Sequence, residues 1–133
     1  MKLKGRKVVG GVAEGEVLIS IESVSFYGGI DPISGMIIDH GHPLEGQSIT
    51  GKVFVFPTGK GSTVGSYIIY RMKKLGTAPA AIINIETEAI LATGCVISDI
   101  PLVDELESNP LTILKDGMRV LVNGDMGTVE TID

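Results

Sequence analysis

The sequence predicts an α/β domain of mixed sheets with flanking helices, in three layers of the β/β/α kind. Three observations carry this. β-type segments flank a β-α-β-α-β centre, which suits neither a sandwich nor a helical bundle. The central strands, KVFVF (52–56) and AAIINI (80–85), are near-continuous apolar runs, the pattern of strands covered on both faces. The chain has 133 residues, 44% of them hydrophobic, with 18 glycines set singly or in pairs between short apolar runs. That length is one domain's worth, 1–133, large enough for a real core. The glycines mark turns and close backbone approaches. Only 5% of residues are aromatic and Trp is absent, so the core is expected to be aliphatic.

In chain order, RKVVGG (6–11) and GEVLISI (15–21) read as two short strands joined by VAE. SVSFYGGIDPISG is punctuated by glycine and proline and reads mostly as loop. GMIID (35–39) reads as a short strand and HGHPLEGQSITG as loop. KVFVF follows. Residues 63–75 give the best helix, with Val64, Ile68, Met72 and Leu75 at helical spacing. Lys73 and Lys74 fall in its last turn, and Gly76 suits the position after it. AAIINI is the next strand. ETEAILATG reads as one or two helical turns ended by Gly94, with Glu86 and Glu88 favouring the helix dipole. CVISDI (95–100) reads as a third strand and PLVDELESNP as a short helix. Two strands then surround the turn signal Asn123-Gly124-Asp125.

Charge and cysteine content narrow the function. A net charge of −5 disfavours a general nucleic-acid-binding role. No apolar run approaches the roughly 18 residues of a membrane helix. Met1-Lys2-Leu3-Lys4 is followed by no apolar run of the signal-peptide type, so the expected location is cytoplasmic. One cysteine, Cys95, excludes an internal disulfide and a self-contained iron–sulfur or Cys-rich zinc site. Its place in an apolar run makes it a core thiol.

The stretch FPTGKGSTVGSY (56–67) is the chemically suggestive one. A strand breaks at Pro57, and a glycine-bracketed loop leads to a helix mouth. Ser62 is the natural N-cap. A cap alone needs neither Gly59 and Gly61 nor Lys60 beside it. An anion site at a strand–loop–helix junction uses both, since glycine lets backbone approach a ligand and helix N-termini offer unpaired N–H groups. The P-loop template GxxxxGK[ST] fails here: Gly61 follows Gly59-Lys60, and Phe54 stands where the first glycine belongs. A serine in such surroundings can serve as a base, because N–H donors and a cation stabilise its alkoxide. FYGGIDP (26–32) reads either as a turn or as backbone N–H groups of Gly28 and Gly29 facing a substrate. DHGHPLEG (39–46) holds both histidines, His40 and His42. A His-x-His zinc site lacks a third ligand at a familiar spacing.

The motifs YGGIDP, DHGHPLEG, PTGKGSTVGSY and APAAIIN together resemble the small subunit of the aconitase-X family, over nearly the whole chain. The closing DGMRVLVNGDMGTV is similar to the end of swivelling domains. The resemblance implies the swivelling β/β/α fold, an aconitase small-domain-like module. It implies a heterodimer with a large subunit that holds a [4Fe–4S] cluster, whose open iron acts as Lewis acid on a tertiary hydroxyl. It makes Ser62 the base that removes a proton alpha to a carboxylate. Gly61 and Thr63 would lend backbone N–H groups, and Lys60 would meet a phosphate or carboxylate. Gly28, Gly29 and His42 would line the cleft. The implied hydro-lyase reaction converts (R)-5-phosphomevalonate to trans-anhydromevalonate 5-phosphate, in isoprenoid synthesis. Within the family, dehydration of a hydroxyproline is the alternative. A phosphohistidine carrier using His40 or His42, or a non-catalytic binding module in which Ser62 only caps, are readings of other classes.

Overall fold

The computed structural model describes residues 1–132. The strands are β1 (Lys2–Lys4), β2 (Arg6–Val9), β3 (Val12–Ile19), β4 (Val53–Phe56), β5 (Ala81–Asn84), β6 (Leu102–Asp104), β7 (Arg119–Asn123) and β8 (Thr128–Ile132). The helices are α1 (Phe26–Gly29), α2 (Val64–Leu75), α3 (Ala89–Ile97) and α4 (Pro110–Ile113).

The strand order is β1-β8-β7-β3-β4-β5-β6-β2. β3 to β6 run parallel, and the outer pairings are antiparallel. β3 is the joint: Val12–Glu16 pairs with β7, and Val17–Ile19 with β4. The edge strands β1 and β2 are separated in sequence by Gly5 alone. The sheet must therefore roll until its two edges meet at that residue. Gly5 donates its N–H to the Gly127 carbonyl at 2.8 Å. A Cβ at Gly5 would lie 2.5 Å from the Asp104 carbonyl oxygen, so only glycine fits this closure.

Rolling makes two β layers, and the helices make the third. Val53 and Val55 face the inter-sheet core with Ile83, Val103, Val120 and Val122. Phe54 and Phe56 face the other way, with Ile82, onto Ile69, Met72 and Leu91 of the helices. One fully buried four-residue strand thus feeds two cores, which is why KVFVF shows no alternation. The three-layer α/β expectation holds.

Several local expectations do not. Lys2–Lys4 is a strand, and Val12–Glu14, expected to be a connector, is the first part of β3. Ile30, Met36 and Ile37 make only isolated bridges, so GMIID is no strand. Cys95–Ile97 is the last turn of α3 rather than a strand, and Gly94 lies inside that helix. The strand is Leu102–Asp104, within the segment expected to be helical. The helix signal there belongs to Asn109-Pro110, where Asn109 Oδ1 accepts the Leu111 N–H at 2.9 Å. The buried face of α2 is also rotated from the expected one: Gly65, Ser66, Ile69 and Met72 are buried, while Val64 and Leu75 are 38% and 51% exposed. The reason is close helix packing. A Cβ on Gly94 would sit 2.8 Å from Ile69 Cδ1 and 3.1 Å from Ser66 Cα. Small residues set this contact, and apolar periodicity does not register them.

The Asp104 carboxylate, fully buried, ties β6 to β2 and to the β5–α3 connection. Arg6 donates to it through Nε at 2.9 Å and Nη2 at 2.7 Å, and the Thr87 N–H donates at 2.8 Å. Burial works to raise its pKa, but the hydrogen bonds from Arg6 and Thr87 outweigh burial and hold it below the usual carboxylate value. A folded pKa below the unfolded one contributes stability that is complete above about pH 4 and is lost as pH falls through the folded value. Asp104→Asn should therefore destabilise the protein at pH 7 by about 1.5 kcal/mol, the low end for charged hydrogen bonds because Arg6 is half-exposed. The gap to wild type should narrow as pH drops below about 4. Thermal unfolding at pH 7 and pH 3 checks this; a gap that widens in acid contradicts it.

Candidate functional site

The site lies where the chain leaves β4. Pro57 ends the strand, and the Val24 backbone then takes over the pairing. Val24 donates to the Thr58 carbonyl at 3.2 Å and accepts the Lys60 N–H at 3.0 Å, making a parallel bridge to Gly59. Gly59 is buried against the α3 cap: a Cβ there would lie 2.8 Å from Glu88 Oε1. Glu88 itself caps α3, accepting the Ile90 and Leu91 N–H groups at 2.8 and 2.6 Å. The sequence places Glu88 at the helix start, where a carboxylate favours the dipole; the structure adds that it is the N-cap itself. Gly61 needs its freedom twice over. Its φ is +103°, and a Cβ would lie 2.6 Å from Ser25 Oγ.

The loop delivers Ser62 to the surface at the mouth of α2. Ser62 Oγ accepts the Val64 N–H at 3.1 Å, and the Ser62 carbonyl accepts the Gly65 N–H at 2.9 Å. The serine caps as expected, although Thr63, with helical φ and ψ, is the residue immediately before α2. The N–H groups of Gly61, Ser62 and Thr63 donate to no group among the described residues. Three consecutive donors without a protein acceptor thus sit on exposed residues at the positive end of a 12-residue helix. The exposed Lys60 adds a full charge and forms no ion pair among the described residues. The dent beneath, lined by Phe26, Gly59, Lys60, Ser62, Glu88 and Leu91, encloses about 10 Å³. That is room for about one water, so this dent cannot by itself enclose a substrate.

The second glycine loop joins the first through Ser25. Ser25 Oγ donates to the Tyr27 carbonyl at 2.9 Å, and Gly29 lies 3.8 Å from Ser25 Cβ, measured from its Cβ position. Gly28 has φ +84° and open space around it. The Gly29 carbonyl accepts the Ile38 and Asp39 N–H groups at 2.9 and 3.2 Å. Gly28 and Gly29 are thus brought near Gly61 in α1, which is closer to a turn than a helix because Tyr27 and Gly28 have non-helical φ and ψ. The Gly29 carbonyl is committed to the following strap. Sequence reasoning missed Ser25. Its contact with Gly61 spans distant parts of the chain, and no spacing rule announces it.

His42 faces into the fold. It is 7% exposed. Its Nδ1 accepts the Leu44 N–H at 3.0 Å, which leaves the proton on Nε2, 3.2 Å from Ser20 Oγ. Both ring nitrogens are spent inside the fold, and neither is left for a ligand. His40 is exposed, with Nδ1 3.4 Å from Glu45.

No three His, Cys, Asp or Glu side chains converge on a possible metal position among the described residues. Cys95 is fully buried, and burial pushes its thiol pKa up to about 12, so it stays protonated. These residues do not fit an iron–sulfur cluster. No helix among the described residues is long and apolar enough to cross a membrane.

With this geometry in place, similarity to known proteins is informative. The family model described as the aconitase X swivel domain matches residues 2–131. The phosphomevalonate dehydratase small subunit of Methanosarcina mazei is 58% identical over 132 residues, covering 99% of this chain and 92% of its own length. The protein of that name from Thermococcus kodakarensis is 56% identical over 133 residues, covering 100% and 98%. The crystal structure of Thermococcus kodakaraensis aconitase X in its holo form matches with a TM-score of 0.94 at 55% identity, over 100% of this chain and 99% of that one. The solution NMR structure of a UPF0107 protein matches with a TM-score of 0.91 at 44% identity, over the full length of both. The domain rolled around Gly5, with its serine at the mouth of α2, belongs to the aconitase X family, as its swivel domain.

Proposed function

We propose that this chain is the small subunit of a phosphomevalonate dehydratase, active with a large subunit, and that Ser62 is its base. The observation that carries the reading is the exposed Ser62 hydroxyl beside the free N–H groups of Gly61, Ser62 and Thr63. A serine hydroxyl is a weak base. Its alkoxide becomes tolerable where fixed donors and a cation surround it. The Val64 N–H already donates to Ser62 Oγ, the helix dipole favours negative charge there, and Lys60 adds a positive one.

In this reading the Ser62 alkoxide takes the proton alpha to the substrate carboxylate, the C–H electron pair becomes the new double bond, and the hydroxyl leaves the adjacent carbon as hydroxide. That hydroxide and the proton now on Ser62 together make the one water lost. Lys60 and the free amides orient the anionic substrate. The family implies a [4Fe–4S] cluster, which supplies Lewis acidity. It does not fit this chain's single buried thiol, so we assign it to the large subunit. The dent under Ser62, too small to hold a substrate, suits a half-site that a companion chain completes. The buried His42, with both nitrogens engaged, argues against a phosphohistidine carrier using that residue.

The test is anaerobic co-purification with the large subunit, followed by assays of water loss. The complex should convert (R)-5-phosphomevalonate to trans-anhydromevalonate 5-phosphate, while either subunit alone stays inert. Dehydration of a hydroxyproline without turnover of 5-phosphomevalonate would overturn the substrate assignment.

A further inference from the structure

A buried polar side chain lies directly behind the serine loop. Asn84 ends β5 and is fully buried. Its period places it on the helix side of the sheet with Ile82, where an apolar residue is expected. Asn84 Nδ2 donates to the Phe56 carbonyl at 3.1 Å, while Oδ1 has no hydrogen-bond partner among the described residues. The opposite amide orientation would set Oδ1 against the Phe56 carbonyl, acceptor against acceptor, so Nδ2 must face it. A buried acceptor without a donor carries a desolvation cost that an apolar side chain would avoid. An amide thus stands at a core-facing position, and the group it holds is the last carbonyl before Pro57.

The neighbouring residues work on the same segment. The Ile85 and Glu86 N–H groups both donate to the Pro57 carbonyl, at 3.0 and 3.2 Å. Glu88 packs against Gly59. Residues 84–88 therefore form a cradle under the segment leading to Ser62, and Asn84 is its only side-chain donor to the strand end.

We propose that Asn84 is a positioning residue for the base: through the Phe56 carbonyl it fixes the direction in which the chain leaves β4, and so the placing of Ser62. This rests on the reading of Ser62 given above. Small displacements of a catalytic group from its productive geometry suffice for large losses in rate.

Two variants test it in the full chain. Asn84→Ala removes the donor. It should lower kcat of the assembled enzyme at least tenfold, with KM and large-subunit affinity within about twofold. In the isolated chain the Lys60 amide, bonded to Val24, should exchange with solvent at least tenfold faster. Asn84→Asp keeps the shape. Burial favours its neutral form, whose O–H can donate to the Phe56 carbonyl, so its kcat relative to wild type should rise as pH is lowered. Should Asn84→Ala fail to assemble, Asn84→Asp carries the test. In the variant that assembles, three results would overturn the proposal: kcat within twofold of wild type, a loss accounted for by weaker large-subunit affinity, or unchanged Lys60 exchange. If the wild-type complex dehydrates nothing, that counts against Ser62 as base, and the exchange rates still decide whether Asn84 holds the loop.

Discussion

Replacing Ser62 with alanine is expected to lower kcat of the assembled dehydratase by about 10²–10⁴, the range for loss of a general base. At about 1.4 kcal/mol per tenfold, that is roughly 3–6 kcal/mol of transition-state stabilisation. The structural cost is smaller and separable. Ser62 is exposed and its hydroxyl accepts one hydrogen bond from Val64, so the fold loses a cap contact of about 1 kcal/mol. Stability and assembly should change little while turnover nearly vanishes. Rates with 5-phosphomevalonate, measured beside thermal unfolding, distinguish the two roles. Unchanged turnover with a small loss of stability would mean that Ser62 only caps α2.

The second large effect is expected at Phe56. Its ring is fully buried, 4.7 Å from the Phe54 centroid and 6.4 Å from that of Phe26. Phe56→Ala should cost about 3–5 kcal/mol, the range for emptying a packed aromatic site. Domains are stable by only about 5–15 kcal/mol, so this is a large share of the total. Tm should fall by roughly 10–20 °C. The loss falls under the site: Phe56 is the last strand residue before Pro57, and Phe26 adjoins Ser25, which touches Gly61. Activity should therefore drop below the folded fraction, even at temperatures where the variant remains assembled. Calorimetry and turnover at matched folded fraction check this. A Tm within about 3 °C of wild type would show that the neighbouring rings close the gap.

What could be read from the sequence follows from how local each cause is. The apolar run 53–56, the glycine-bracketed loop, the helix after Ser62 and the hairpin at Asn123–Asp125 each depend on residues adjacent in the chain. So do the helix-start role of Glu88 and the apolar run that marks Cys95 as core. The sequence by itself therefore determined the three-layer class, the place of the serine at a helix mouth and the absence of a cluster-binding cysteine set. Tertiary contact decided the rest. Leu102–Asp104 is a strand because β5 and β2 flank it, and Cys95–Ile97 stays helical because Gly94 fits against Ile69. Neither neighbour is visible in a short window. Burial of His42 depends on Ser20, and the link between the two glycine loops depends on Ser25 meeting Gly61. Periodicity reports which residues prefer to be buried. Which partners they are buried against is a property of the assembled chain, and that alone fixed the face of α2 and the shape of the site.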